Sequence, residues 1–130
     1  MPYSINVDRV RKRAVVLGWG ANDLASSLAA MAELASHADF EPGFGILCDF
    51  RESDYAPATN ESQKLADSYT ARFAGRPMAL VVSGLLHYGI ANMITTIVRL
   101  RGNPVAAFRD IPEAEAWLDE AIAKVSSERV

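Results

Sequence analysis

The chain opens on an alternation. Tyr3, Ile5 and Val7 are apolar while Ser4, Asn6 and Asp8 are polar, the two-residue period of a strand with one face in water. After a basic turn, Ala14-Val15-Val16-Leu17 is apolar without interruption, which suits a strand covered on both faces. The two segments are close enough to pair as an antiparallel hairpin. The period then becomes helical. Leu24, Leu28, Met31 and Ala35 recur at helical spacing, Asn22 or Asp23 is placed to cap, and Pro42-Gly43 marks the turn beyond.

The same reading continues to the end of the chain. Gly45 to Asp49 is a third strand, followed by a polar, proline-bearing loop from Phe50 to Ala58. Asn60 and Gln63 form a capping pair for a second helix, whose apolar stripe is Leu65, Ala66, Tyr69 and Phe73. Gly75 and Pro77 stop it, and Met78 to Val82 is a fourth strand. A third helix runs from about Leu86 to Leu100, with Ile90, Met93, Ile94, Ile97 and Val98 on one side; Gly102 ends it. Val105 to Phe108 is the fifth strand. Asp110 and Glu113 form a capping box for the last helix, which turns Ala114, Trp117, Leu118, Ala121, Ile122 and Val125 inward. The order is β-β-α-β-α-β-α-β-α. It predicts an α/β single domain, with a mostly parallel five-stranded sheet, an N-terminal antiparallel hairpin and flanking helices.

Composition narrows the function classes. A chain of 130 residues with 50% apolar and 22% charged residues is long enough for one domain with its own core. A net charge of −3 argues against a nucleic-acid partner. The basic run from Arg9 to Arg13 falls at the expected hairpin turn and reads as solvated. Cys48 is the one cysteine, which excludes an internal disulfide and fits a reducing compartment; its apolar surroundings make it core. The start Met1-Pro2-Tyr3-Ser4 lacks the charged and apolar segments of a signal peptide, and no apolar run approaches the roughly 20 residues that cross a bilayer. A cytoplasmic protein without stable membrane insertion is expected.

Candidate chemistry lies at the carboxyl ends of the parallel strands, where open α/β sheets bind ligands. The loops there offer Trp19, Asp49, Arg51, Ser53, Asp54, Tyr55, Ser83, His87 and Tyr88, aromatic walls with a few polar groups. Met93 joins them from the third helix, whose broad apolar side packs on the sheet, covers an apolar ligand or forms a dimer face. His87 is a candidate general base with Asp49, Asp54 or Ser83 as partner, set against capping or surface hydrogen bonding. Arg51 and Arg109 each suit an anion or a local carboxylate. Ser83 lacks a nucleophile elbow, and Gly18-Trp19-Gly20 lacks the third glycine of a dinucleotide loop and carries Asp23 where an anion would sit. Two scattered histidines and one cysteine make no metal site. No cofactor and no catalytic residue are assigned.

The element order, Phe108-Arg109-Asp110 and the ending Glu113-Ala114-Glu115-Ala116-Trp117-Leu118 resemble the SpoIIAA-like family within the broader STAS group. Leu47-Cys48-Asp49-Phe50-Arg51 and Tyr88-Gly89-Ile90-Ala91-Asn92-Met93 add to the likeness. The resemblance implies a regulatory, protein-interacting or small-ligand-binding module rather than an enzyme, with apolar or lipid-like ligands proposed for some relatives. Classical members of the wider group carry a phosphorylatable serine just before the helix that follows the third strand. Here Ser53 is the nearest hydroxyl but lacks the Asp-Ser-Gly setting, which makes it a weak phosphorylation candidate. Three readings stand open: a non-catalytic regulatory or interaction domain that self-associates as a homodimer, a carrier of a small apolar or lipid-like molecule, and an enzyme using His87.

Overall fold

Handedness decides where the helices go. In a computed structural model that describes residues 2–128, the elements are β1 (Tyr3–Asp8), β2 (Arg13–Gly20), α1 (Leu24–Ala35), β3 (Gly45–Ser53), α2 (Thr59–Phe73), β4 (Met78–Val81), α3 (Leu85–Leu100), β5 (Val105–Phe108) and α4 (Ile111–Glu128). The sheet order is β1-β2-β3-β4-β5, antiparallel at β1–β2 and parallel from β2 onward. Strands are thus added in one direction only. Right-handed crossovers then place every intervening helix on the same face. Accordingly α1 packs on α2 and α2 on α3, while α4, which follows the last strand, lies on the other face against β3, β4 and β5. The α/β architecture expected from the sequence is the one observed.

Two cores follow from this layering. Ala14, Val16, Ile46, Met78 and Val105 point to the three-helix face, where Leu34, Tyr69, Phe73 and Val98 meet them. Leu47, Ala79 and Val81 point to α4 and meet Ala114, Leu118 and Ile122. Alternation along β3 and β4 sorts neighbouring residues into opposite cores. Gly45 sets how closely α4 approaches: a Cβ there would lie 2.9 Å from Ile122 Cδ1 and 3.0 Å from Leu118 Cδ1.

Local chemistry places the element ends. Asp23 caps α1, its carboxylate accepting from Ser26 N–H at 2.8 Å while Ser26 Oγ accepts from Asp23 N–H at 3.0 Å. The second helix starts earlier than the Asn60–Gln63 pair suggests. It begins at Thr59, with Ala58 N–H donating to Glu61 Oε1 at 3.2 Å. Strands β2 and β3 also run further than expected, to Gly20 and Ser53, because each supplies the other with hydrogen bonds past Leu17 and Asp49. Among the described residues, no helix is long and apolar enough to cross a membrane.

A buried asparagine ties the ends of α2 and α3 to the start of β5. Asn103 is 5% exposed; its Oδ1 accepts from Gly75 N–H at 2.7 Å and its Nδ2 donates to Val98 O at 3.2 Å. Asn103→Ala strips both bonds and leaves the Gly75 amide unsatisfied, a cost of about 1–3 kcal/mol. Urea denaturation should show that loss with the m-value unchanged. A variant as stable as the parent would contradict this role.

Candidate functional site: an apolar cavity between sheet and helices

The three-helix face does not close completely. Between it and the sheet lies a cavity of about 140 Å³. Its floor is formed by Val16, Ile46, Cys48, Met78, Leu80 and Val82 of the sheet and the residue after β4. Its roof comes from Ala30, Met31 and Leu34 of α1, Leu65 and Tyr69 of α2, and Ala91, Ile94 and Val98 of α3. The void has a sequence cause. Cys48, Ala30 and Ala91 stand where a leucine or phenylalanine would fill the gap, and α1 is alanine-rich along its length. Phe50 packs against the Gly18 backbone on one side, where a Cβ would sit 2.7 Å from its ring.

One end of the cavity is polar, and that end lies at the carboxyl ends of β2 and β3. The parallel register brings Leu17 opposite Asp49 but Trp19 opposite Glu52, so β3 carries one extra residue there. Strict alternation from Ile46, Cys48 and Phe50 would turn Ser53 toward α4. The bulge returns it to the cavity side. Ser53 Oγ accepts from Asn22 Nδ2 at 3.2 Å and from Tyr55 N–H at 3.3 Å, and Ser26 Oγ donates to Asn22 Oδ1 at 3.4 Å. These groups satisfy one another.

Two others do not. Tyr55 and His87 both line the cavity; among the described residues His87 Nε2 is enclosed with no hydrogen-bond partner, and the Tyr55 hydroxyl has only the Glu61 carboxylate, short of good geometry. Enclosed polar atoms are paired in the great majority of cases, so an unpartnered His87 Nε2 and a weakly partnered Tyr55 hydroxyl leave hydrogen-bonding capacity facing the cavity. Burial first, and the Glu61 carboxylate second, push the Tyr55 phenol up to about 12. It is therefore a neutral donor at physiological pH.

The other sequence candidates lie elsewhere. Asp49 and Arg51 face the α4 side of the sheet and bind each other, Nε to Oδ1 and Nη2 to Oδ2 both at 2.9 Å. Arg51's hydrogen bonds hold the Asp49 carboxyl below the usual carboxylate range, and Asp49 in turn raises Arg51. Trp19 is 40% exposed on that same side. Ser83 is exposed in the β4–α3 turn, Tyr88 lies 5.0 Å beneath the Arg109 guanidinium, and Met93 is half-buried on α3 outside the cavity lining. The sheet thus separates His87 from Asp49. Ser53, Tyr55 and His87 are the candidates that the fold brings to one cavity. Asn22, Ser26, Cys48 and Ile94 also line it and carried no signal beyond being small, apolar or capping. Among the described residues, no cluster of His, Cys, Asp and Glu could hold a metal.

The arrangement defines an α/β domain with three helices over one sheet face, one helix over the other, and an apolar cavity under the three. A solved structure of similar form is an uncharacterised protein of the DUF3478 family from Shewanella loihica PV-4, described as having a SpoIIAA-like fold. The likeness covers 89% of this chain and 91% of that one, with 19% identity and a TM-score of 0.53. The chain therefore has a SpoIIAA-like fold, as the sequence resemblance implied. No protein-family model matches the chain, and no curated protein does.

Cys48 reports on how closed this cavity is. Burial, then the neighbouring Asp49 charge, pushes its thiol up to about 12 from 9.0, leaving almost no thiolate at neutral pH. Iodoacetamide should alkylate the folded protein at least about a hundredfold more slowly than the urea-unfolded chain. Intact-mass time courses check this; equal rates would show the thiol open to water.

Proposed function

We propose that this protein is a non-catalytic binding module for a small apolar molecule. The observation that supports the reading is the cavity itself. An engineered apolar void of about 150 Å³ stays dry and binds benzene or xenon, and the volume here is similar. A natural core usually has few voids larger than a water molecule. Its polar end at the strand carboxyl ends also matches where open α/β sheets place ligands.

A regulatory role draws on a separate feature. Leu85 and Leu86, 79% and 67% exposed, begin the same helical turn that carries His87. Apolar side chains held in water beside a ligand-facing residue suit a surface that a partner protein reads when the cavity is filled. The binding reading stands without it.

Benzene is the simplest probe. At ten times its dissociation constant it should stabilise the fold by about 1.4 kcal/mol, raising the melting temperature by a few degrees. Ile94→Phe and Ala30→Leu fill the void from two different helices and should each abolish that shift. Native mass spectrometry of gently purified protein should also show a co-purifying small mass. A parent protein whose melting temperature is unmoved by benzene, and which carries no extra mass, would contradict the reading.

A further inference from the structure

The size and polarity of the cavity say more than that it binds something apolar. This step rests on the binding reading above and narrows the class of ligand. Three features of the cavity bear on it.

The first is volume. About 140 Å³ accommodates one aromatic ring or a comparably compact molecule, judged against the benzene-binding void of about 150 Å³. A long acyl chain needs a tunnel several times longer than one ring. The second is charge. Among the described residues, no Asp, Glu, Lys or Arg lines the cavity, and none of them stands ready as a cation for a carboxylate or phosphate head. The charges that act on Tyr55 are Glu61 and Asp23, both negative. An anionic head would lose its hydration and meet like charge. The third is the pair of polar atoms at the cavity's end. Tyr55 supplies a hydroxyl that donates, and His87 supplies a ring nitrogen that donates or accepts according to tautomer. Among the described residues His87 Nε2 has no partner, and the Tyr55 hydroxyl has only the Glu61 carboxylate, short of good geometry, so it keeps the capacity to accept. A ligand hydroxyl both donates and accepts, and so suits both.

We propose that the cavity selects a neutral, single-ring-sized molecule bearing one hydroxyl, with its apolar body against Cys48, Leu80 and Ile94 and its hydroxyl recognised by Tyr55 and His87, and that it excludes long-chain fatty acids. The lipid-like ligand considered from the sequence is thereby replaced by a compact one. Specificity follows from the same asymmetry. A molecule of equal shape without the hydroxyl leaves His87 Nε2 unpaired and the Tyr55 hydroxyl with only Glu61, and a buried unpaired group costs more than the hydrogen bond gains.

The test compares two molecules of nearly one shape, phenol and toluene, with dodecanoate as the chain-bearing anion. Isothermal titration of the intact protein should give phenol an affinity about tenfold above toluene, and at least about fivefold. Tyr55→Phe and His87→Leu should each bring the ratio toward one while leaving toluene affinity within about twofold. Dodecanoate should bind more weakly than phenol. A ratio below about fivefold in the parent protein overturns the hydroxyl selection, as does a ratio that survives both variants. Dodecanoate binding more tightly than phenol overturns the size and charge argument. In either case toluene binding would still stand for an apolar site. If neither phenol nor toluene binds, the binding reading fails along with this one.

Discussion

Everything in this fold depends on one steric rule, that a strand–helix–strand crossover between parallel strands is right-handed. Because the strands are added in one direction, three successive crossovers put α1, α2 and α3 on one face of the sheet, and α4 covers the other. The two faces therefore have different jobs. The α4 side is packed closely, down to a glycine at position 45 that leaves no room for a methyl group. The three-helix side must be filled by side chains from three helices that meet at angles, and alanines at 30 and 91 with a cysteine at 48 leave it unfilled. A void of this size in a core is a standing cost in lost dispersion contacts and burial. Keeping that cost beside the Tyr55 hydroxyl and the unpartnered His87 Nε2 is what the proposed binding role accounts for.

The polar end of the cavity depends on a single extra residue. Without the bulge between Asp49 and Glu52, Ser53 would point across the sheet and the Asn22–Ser53–Tyr55 contacts would not form. Those contacts set the course of the chain as it leaves β3, and with it the placement of Tyr55. The same bulge leaves Asp49 and Arg51 on the far face, where they satisfy each other. One local irregularity thus separates two groups of residues that are adjacent in sequence.

How much of this was legible in the sequence varies with the range of the interaction. The elements were legible because periodicity is local: alternation from Tyr3 to Val7 and the helical stripe of Leu65, Ala66, Tyr69 and Phe73 each point to one structure. The ends of β2 and β3 were not, since Gly18-Trp19-Gly20 looks like a turn until its partner strand is known. Trp19, Asp49 and Arg51 could not be told apart from Tyr55 and His87 as site residues, because all five sit near strand carboxyl ends. The face each occupies depends on the register and the bulge. The cavity was invisible for a deeper reason. Cys48, Ala30 and Ala91 each read as ordinary core, and an empty space is a property of their sum, not of any one of them. That the third helix packs over the sheet was foreseeable; that it packs over a gap was not.

The central claim is that the space under α1, α2 and α3 is a real, dry, apolar chamber, and xenon tests it most directly. Xenon needs no hydrogen bond, binds through dispersion alone and occupies engineered voids of this size. A crystal pressurised with xenon should show an ordered atom within van der Waals contact of Cys48, Leu80 and Ile94. Finding the space closed by side chains, or filled by ordered waters with no xenon, would contradict the account.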